Sequence, residues 1–414
     1  MNKVFFKIAV VFIMLVLCGG FAVAGAQGDQ QKGNYDLTVM SVDTTNPKFA
    51  EWKADAEAAT GLKINFIATP TDADTRQQKV TTILSSGDTS IDILEVNDEM
   101  LSAFKNTGWL EPVQGKVITP EIMAQLPQAF VKDMMTARNG DIVGIQKYNG
   151  YLALWVNQEI LNEVGIPEIK NKDDWIEFCK RASAKPGRYG YGGSWEKTYV
   201  FNEIGTFVNL FGGDYFDWTN PRNREAMQFM YDMVNTWKVT PIDQIADRYE
   251  QMNQKFIDGK YGMLFMWGAG GDYDAAGMRG PDKIHIAQVP QFNTRSVFAD
   301  SWYYVLNKAS KHKEAAIKFM QYRQSQQGMM ANFNAFEQWP ARKDVSAVIP
   351  DDNFLKAMYK VYADTTVIRG RPMLPQSMEF ITDMGTIFQA YIQNKISLDD
   401  FCRQAQGFVD KYRQ

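Results

Sequence analysis

Leu37-Thr38-Val39-Met40-Ser41-Val42-Asp43-Thr44-Thr45-Asn46-Pro47 is the stretch from which the fold is read. Its first six residues are mostly apolar and β-branched, as a strand requires. The polar run after them forms a loop, and Pro47 suits a first helical turn because its missing N–H has no partner to lose there. Phe49, Trp52, Ala56 and Ala59 then recur at helical spacing up to Gly61. The pattern repeats outward from this unit. Lys63 to Ala68 reads as a second strand, and Val80, Ile83 and Leu84 mark a helix stopped near Gly87. Ile91 to Val96 reads as a third strand, and Met100, Leu101 and Phe104 open a helix closed at Gly108. Strands alternating with helices predict an α/β architecture with a mainly parallel sheet.

In such sheets ligands sit beyond the carboxyl ends of the strands. Two of those ends are polar here. One carries Asp43, Thr44 and Thr45; the other carries Asn97, Asp98 and Glu99. Their predicted convergence on one sheet edge makes Asp43, Thr44, Asn97 and Asp98 candidate binding residues. The competing reading of an acid after a strand is a helix cap.

The second half begins with the apolar strand Tyr151 to Val156. Helical runs follow, and then the apolar run Gly262 to Trp267 leads into glycines. No repeat, low-complexity tract or Pro/Ser-rich linker divides the halves. The N-terminus has a positive start at Lys3 and Lys7, an apolar Ile8 to Leu17, and small residues at Ala22, Ala24 and Ala26. That order predicts a signal peptide over 1–26, cleaved after Ala24 or Ala26, then a disordered leader over 27–34. Export to the periplasm or the outer face of the cytoplasmic membrane follows, with a soluble product favoured over lipid anchoring at Cys18 because Leu17 is large. The net charge of −4 and the absence of a basic stripe argue against nucleic acid. With two histidines, no CxxC and no HExxH, neither a metal nor a cofactor is expected. Cys179 and Cys402 each follow Phe in a helical run and read as small buried hydrophobes, a disulfide being permitted but not implied.

Five further segments, in order, resemble one family. Ala153-Leu154-Trp155-Val156-Asn157 with Gly165-Ile166-Pro167 and Asp174-Trp175 comes first, then Phe256-Ile257-Asp258-Gly259-Lys260-Tyr261-Gly262-Met263. Asp300-Ser301-Trp302, Trp339-Pro340-Ala341-Arg342-Lys343-Asp344 and Pro372 to Pro375 complete the set. Together they are similar to the extracellular solute-binding proteins of bacterial ABC importers, the maltose-binding-protein-like, sugar-type group. The resemblance implies two lobes joined by three crossings near 146–148, 297–299 and 338–341. The first lobe would hold 35–147 plus 299–340, the second 148–298 plus 341–414. It also implies capture of a neutral mono- or oligosaccharide by hinge closure, delivery to membrane permease subunits, a monomer, and no enzymatic activity. The alternatives are a non-sugar solute (polyamine, organic phosphate or metal) or a secreted glycoside hydrolase.

A sugar presents C–H faces to aromatic planes and hydroxyls to carboxylates and amides. Trp195, Trp267 and Trp302 lie beside glycines or at strand ends, where a ring can serve as a platform. Trp52, Trp175 and Trp237 sit in helical patterns and read as core. Gly268 after Trp267, Asp300 in place of a family glycine, and Arg371 between Gly370 and Pro372 complete the candidate set. For Arg371 a surface cation is the competing reading. No cluster of Lys or Arg stands beside Asp43 and Asp98 in the sequence, so both acids are expected to be free to accept sugar hydroxyls.

Overall fold

The computed structural model describes residues 34–413 apart from 129, 268–270, 352, 354, 357–358, 360–366 and 372, and for 367–370 it gives the backbone alone. The expected signal peptide, Cys18, leader residues 27–33 and the candidate Gly268 therefore lie outside the described residues. Two sheets organise the chain from Tyr35 onward.

The first sheet has the order β2-β1-β3-β10-β4, with β1 Leu37–Ser41, β2 Ile64–Ala68, β3 Ile93–Asn97, β4 Ile145–Gln146 and β10 Trp302–Leu306. The second has the order β11-β9-β5-β7-β6: β5 Gly150–Asn157, β6 Tyr189–Tyr191, β7 Tyr261–Trp267, β9 Ser296–Asp300 and β11 Val367–Gly370. A further strand, β8 Ile284–Ala287, follows β9 along the same edge of β5.

The registers show a common design. β1 is parallel to β2 and β3, and β10 is antiparallel to both β3 and β4. β5 is antiparallel to β7, β8 and β9, whereas β6 follows β7 and β11 follows β9. Each sheet is therefore parallel except for one strand, and that strand is the first one laid down after the chain enters from the other sheet. The mainly parallel, two-lobed α/β class expected from the sequence is the class observed.

The helices begin and end where side chains satisfy them. α1 Phe49–Thr60 and α2 Ala73–Ser86 both stop at glycines with positive φ, Gly61 and Gly87. Asp72 caps α2 by accepting from Thr75 N at 2.9 Å. α3 Asp98–Phe104 is capped by Asn97, whose Oδ1 accepts from Met100 N at 3.1 Å. Asp43–Thr45 is a single 3-10 turn, and the expected helix starts only at Phe49.

Each sheet has its own core. Val39, Ile93, Leu94, Val96 and Val305 centre the first, and Trp155, Trp175, Phe207, Met263 and Phe265 the second. Ala341 and Val345, assigned to the second lobe from sequence, lie in the first core, while Ile349 lies in the second. Cys179 and Cys402 are buried free thiols.

The crossings meet at one place. The first runs from β4 to β5, and the second passes from β9 to β10 at Ser301. Ser301 Oγ donates to Tyr148 O at 2.6 Å, and Lys147 N donates to Trp302 O at 2.8 Å. Asn149 N donates to Trp339 O at 2.8 Å, which ties in the chain leaving the helix Gln326–Phe336. Strand ends from both sheets, and the side chains on them, converge around this knot.

Candidate functional site

The edge formed by the carboxyl ends of β1 and β3 carries the first constellation. β1 and β3 are adjacent and parallel, so Asp43 and Asn97–Asp98 do share an edge. Asp43, however, does not stand free. Lys147, fully buried where the chain leaves β4, lies 2.6 Å from Asp43 Oδ2 and also contacts Glu95 Oε1. Glu95 Oε2 accepts from Ser41 Oγ at 2.6 Å and Val42 N at 3.2 Å. Burial raises the Glu95 carboxyl above its usual range. Burial alone would lower Lys147, yet Asp43 and Glu95 hold it above the usual ammonium value. Asp43 Oδ1 also accepts from Gln338 Nε2 at 3.3 Å.

The second constellation spans the lobes. Arg371, described by its sequence neighbours as a cleft or surface cation, is buried and donates from NH1 to Asp98 Oδ1 at 2.7 Å. Its NH2 contacts Glu99 Oε1. The expectation that no cation accompanies Asp43 and Asp98 is thus corrected: each has one, delivered from a distant segment. Burial pushes the Asp98 carboxyl up to about 7, against the pull of Arg371 and with the help of Glu99. Asp300, buried at the end of β9, is raised well above the usual range by burial first and by Asp98 next, and its Oδ1 has no hydrogen-bond partner. Asp98 is spared capping duty because Asn97 performs it; Asn97 itself is a cap that also donates to Glu99. Thr44, half-buried, bonds back to Ser41 O at 3.4 Å within its own turn.

Aromatic rings flank these charges. Trp302 lies opposite Asn97 in the β10–β3 register and is half-buried beneath Arg76, whose guanidinium carbon is 5.2 Å from the ring centroid. Trp267, at the end of β7, is half-buried, donates to Tyr249 Oη at 2.9 Å and has Arg371 5.6 Å from its centroid. Tyr249 stands edge-on to Tyr199 at 4.7 Å. Trp195 is a correction. It is fully buried in the second core, donating from Nε1 to Glu203 Oε2 at 2.7 Å and standing edge-on to Phe388. The neighbouring glycine that suggested an open strand end serves close packing instead: a Cβ on Gly193 would come within 2.5 Å of Trp195 Nε1 and Glu203 Oε2.

Two outer bridges join the lobes. Arg248 NH1 lies 2.7 Å from Asp72 Oδ2, and Arg279 NH1 lies 2.6 Å from Glu337 Oε2. Neither was anticipated, nor was Lys147. Glu95 offered a signal, being a charge inside an apolar strand, which demands a buried partner. A cavity of about 630 Å³ shares only Asp98 and Arg371 with this constellation and none of its aromatic rings. Charge and aromatic surface converge at the cleft between the two sheets, where Trp302 and Trp267 flank the Asp98–Arg371 pair. Among the described residues no His/Cys/Asp/Glu group could hold a metal ion.

Comparison with known proteins gives this geometry its setting. The family model for bacterial extracellular solute-binding proteins matches residues 43–330. An arabinooligosaccharide-binding protein of Halalkalibacterium halodurans is 25% identical over 203 residues, a match covering 45% of this chain and 44% of that relative. The chain thus aligns with less than half the length of that relative. Among solved structures, a maltose-bound protein of T. maritima superposes with a TM-score of 0.78 at 18% identity, covering 91% of this chain and 99% of the other. A solute-binding protein of Thermotoga lettingae bound with α-D-tagatose gives 0.79 at 20% identity, with coverage of 91% and 99%. The maltotriose-bound protein of Thermus thermophilus gives 0.72 at 19%, again over 91% and 99%. At such identities the structural likeness speaks to the fold, and the match of the family model over more than half of the sequence speaks to descent: the chain belongs to the family of bacterial extracellular solute-binding proteins.

Proposed function

We propose that this protein is the extracytoplasmic solute-binding component of an ABC importer, and that it captures a neutral mono- or oligosaccharide between its lobes by hinge closure and delivers it to the permease. The observation that carries the ligand class is the charge count beside the rings. Lys147 faces two carboxylates, Asp43 and Glu95, and Arg371 faces three, Asp98, Glu99 and Asp300. Even with both cations present, carboxyl groups outnumber cations; burial raises Glu95, Asp98 and Asp300, so the field is set by surplus hydrogen-bonding oxygens more than by full negative charge, and an anionic solute finds both cations already engaged. A polyol loses nothing to that field and donates its hydroxyls to the surplus acceptors. The half-buried faces of Trp302 and Trp267 supply apolar contact for the ring. Sugars in the structurally similar proteins, maltose, tagatose and maltotriose, agree with this class.

Closure follows from where the contacts originate. Asp43, Asp98 and Trp302 belong to the first sheet's edge, whereas Trp267 and Arg371 come from the other lobe. A ligand bridging both stabilises the closed arrangement by its differential contacts. The same acid surplus would suit a cationic polyamine, which is the second reading. Calorimetry against neutral sugars, sugar phosphates and polyamines separates them. A neutral sugar should bind, and Trp302→Ala should weaken it by about 1–3 kcal/mol. Binding of a polyamine or a sugar phosphate with no response to any neutral sugar would sink the proposal.

A further inference from the structure

The cavity of about 630 Å³ is walled by both lobes and includes none of the cleft's aromatic rings. Its size is within the range of small-molecule sites. One wall comes from α3 and residues 130–138 of the first lobe, the other from residues 214–216 and Met373 of the second.

In the first wall stands Lys105, the residue that closes α3. It is half-buried, and its Nζ donates to the main-chain carbonyl of Asp133. That acceptor is neutral. A free amine can donate to it as an ammonium does, so the contact does not fix the extra proton on nitrogen. Lys147 makes the contrast, since two carboxylates grip it and hold its proton in place.

The charges that face Lys105 belong to the same cavity. Burial lowers its ammonium below the usual range, the Asp133 carboxylate pulls the other way, and Arg138 adds to the lowering. Lys132 places a further cation on this wall, Asp214 lies on the opposite one, and Asp98 is taken up by Arg371. A lysine that is partly desolvated and set beside other cations has the environment of a nucleophilic amine. The space before it is bounded by apolar side chains, Phe130 and Met134 on one side and Phe216 and Met373 on the other. Phe216 and Met373 are only half-buried, so they offer an occupant apolar surface.

We propose that Lys105 is a carbonyl-capturing amine, and that the cavity takes a small apolar aldehyde with its body against Phe216 and Met373 and its carbonyl carbon at Nζ. The amine lone pair attacks that carbon, and the C=O π pair moves to oxygen. The resulting carbinolamine loses its oxygen as water, which carries away both amine hydrogens, and a C=N bond remains. No oxidant or reductant is consumed. Protonated, the imine regains one N–H for the Asp133 carbonyl. The inference stands independently of which solute fills the aromatic cleft.

The test uses benzaldehyde as the probe and glycolaldehyde as its polar counterpart, each trapped with cyanoborohydride on the full chain and read by peptide mass spectrometry. Lys79 and Lys132, both exposed, are the internal references. Near neutral pH, benzaldehyde should label Lys105 at least about threefold faster than either reference. The lead should shrink toward about pH 10, where exposed lysines also become free amines. Glycolaldehyde, which gains little from an apolar wall, should show a smaller lead. Arg138→Gln should slow the labelling of Lys105 and Asp133→Asn should quicken it, by about twofold each, and both positions are exposed. The proposal is overturned if Lys105 is labelled no faster than Lys79 and Lys132, or if the two aldehydes show the same lead. It is also overturned if the lead persists undiminished at high pH, which would assign it to access alone, or if neither variant changes it.

Discussion

The two buried ion clusters use the same parts to different ends. In one, Lys147 is gripped by Asp43 and Glu95, all on the carboxyl edge of the first sheet or at its exit. In the other, Arg371 reaches across from the second lobe to Asp98 and Glu99. If the proposed hinge opens, the first cluster, held within one lobe, stays buried, whereas the second, which joins the lobes, comes apart and its members regain water. Burying charge is costly unless it is paired, and breaking a pair is costly mainly when the surviving charge remains buried. The same substitution should therefore have unequal consequences in the two clusters.

Lys147→Met gives the largest effect. Glu95, wholly inaccessible, would be left with only Ser41 and Val42 as donors. We expect a loss of about 3–5 kcal/mol, read from urea unfolding. A loss under 1 kcal/mol would mean that the first cluster can rehydrate and that the contrast fails. Arg371→Met comes next. Opening relieves the stranded Asp98 and Glu99, so the stability loss should be about 1–2 kcal/mol. The displaced energy should appear instead as a larger radius of gyration in small-angle scattering. An unchanged radius together with a stability loss matching that of Lys147→Met would make Arg371 a core brace rather than a latch.

The contrast between the clusters also explains what the sequence could disclose. Asp43 and Asp98 were legible because strand–helix alternation fixes which strand ends share an edge. The stops at Gly61 and Gly87 were legible because they depend on local backbone conformation. Partners were not legible. Arg371 lies 273 residues from Asp98, and nothing local to either encodes the other. Trp195 misled for a related reason: glycines beside an indole mark either an open strand end or a tight core contact, and only the position of Glu203 decides between them. Glu95 was the missed opportunity, since a carboxylate in the run Ile91 to Val96 has to find a cation.

The clusters should also differ in their response to pH. Asp98 is pushed up to about 7 by burial while it is enclosed between the lobes. Once the lobes part, solvent returns it toward the ordinary carboxylate value near 4. The closed form then binds the extra proton between about pH 4 and 7, so its advantage is complete below pH 4 and is lost as pH rises through 7. We expect the ligand-free closed-to-open ratio to fall with rising pH in that window, by up to about 1.4 kcal/mol per unit. Lobe-to-lobe fluorescence transfer measured from pH 5 to 8 checks this, and Asp98→Asn should reduce the slope, the remainder coming from Asp300, which burial also raises. A ratio that rises with pH would show that Arg371, not burial, governs Asp98.

The smallest effect belongs to the outer bridge, Arg248–Asp72, where the partners' side chains are 40% and 36% exposed. Solvent screens such a pair, and its two side chains lose freedom in forming it, so its removal should cost about 0.2–1 kcal/mol. Asp72 has two tasks that can be separated. Its carboxyl is lowered to about 2 chiefly by hydrogen bonds from Thr75, and only then by Arg248, so its first task is capping α2. Arg248→Met should therefore leave α2 intact and change lobe closure slightly, with the change disappearing in about 0.5 M salt as the Debye length shrinks. Asp72→Asn keeps a good cap and removes the ion pair, so it should match Arg248→Met. Asp72→Ala removes both and should cost about 1 kcal/mol more in thermal unfolding. If Asp72→Asn proves as damaging as Asp72→Ala, the charge itself holds the lobes at this rim. The outer bridge would then have to be grouped with Arg371 as part of the latch.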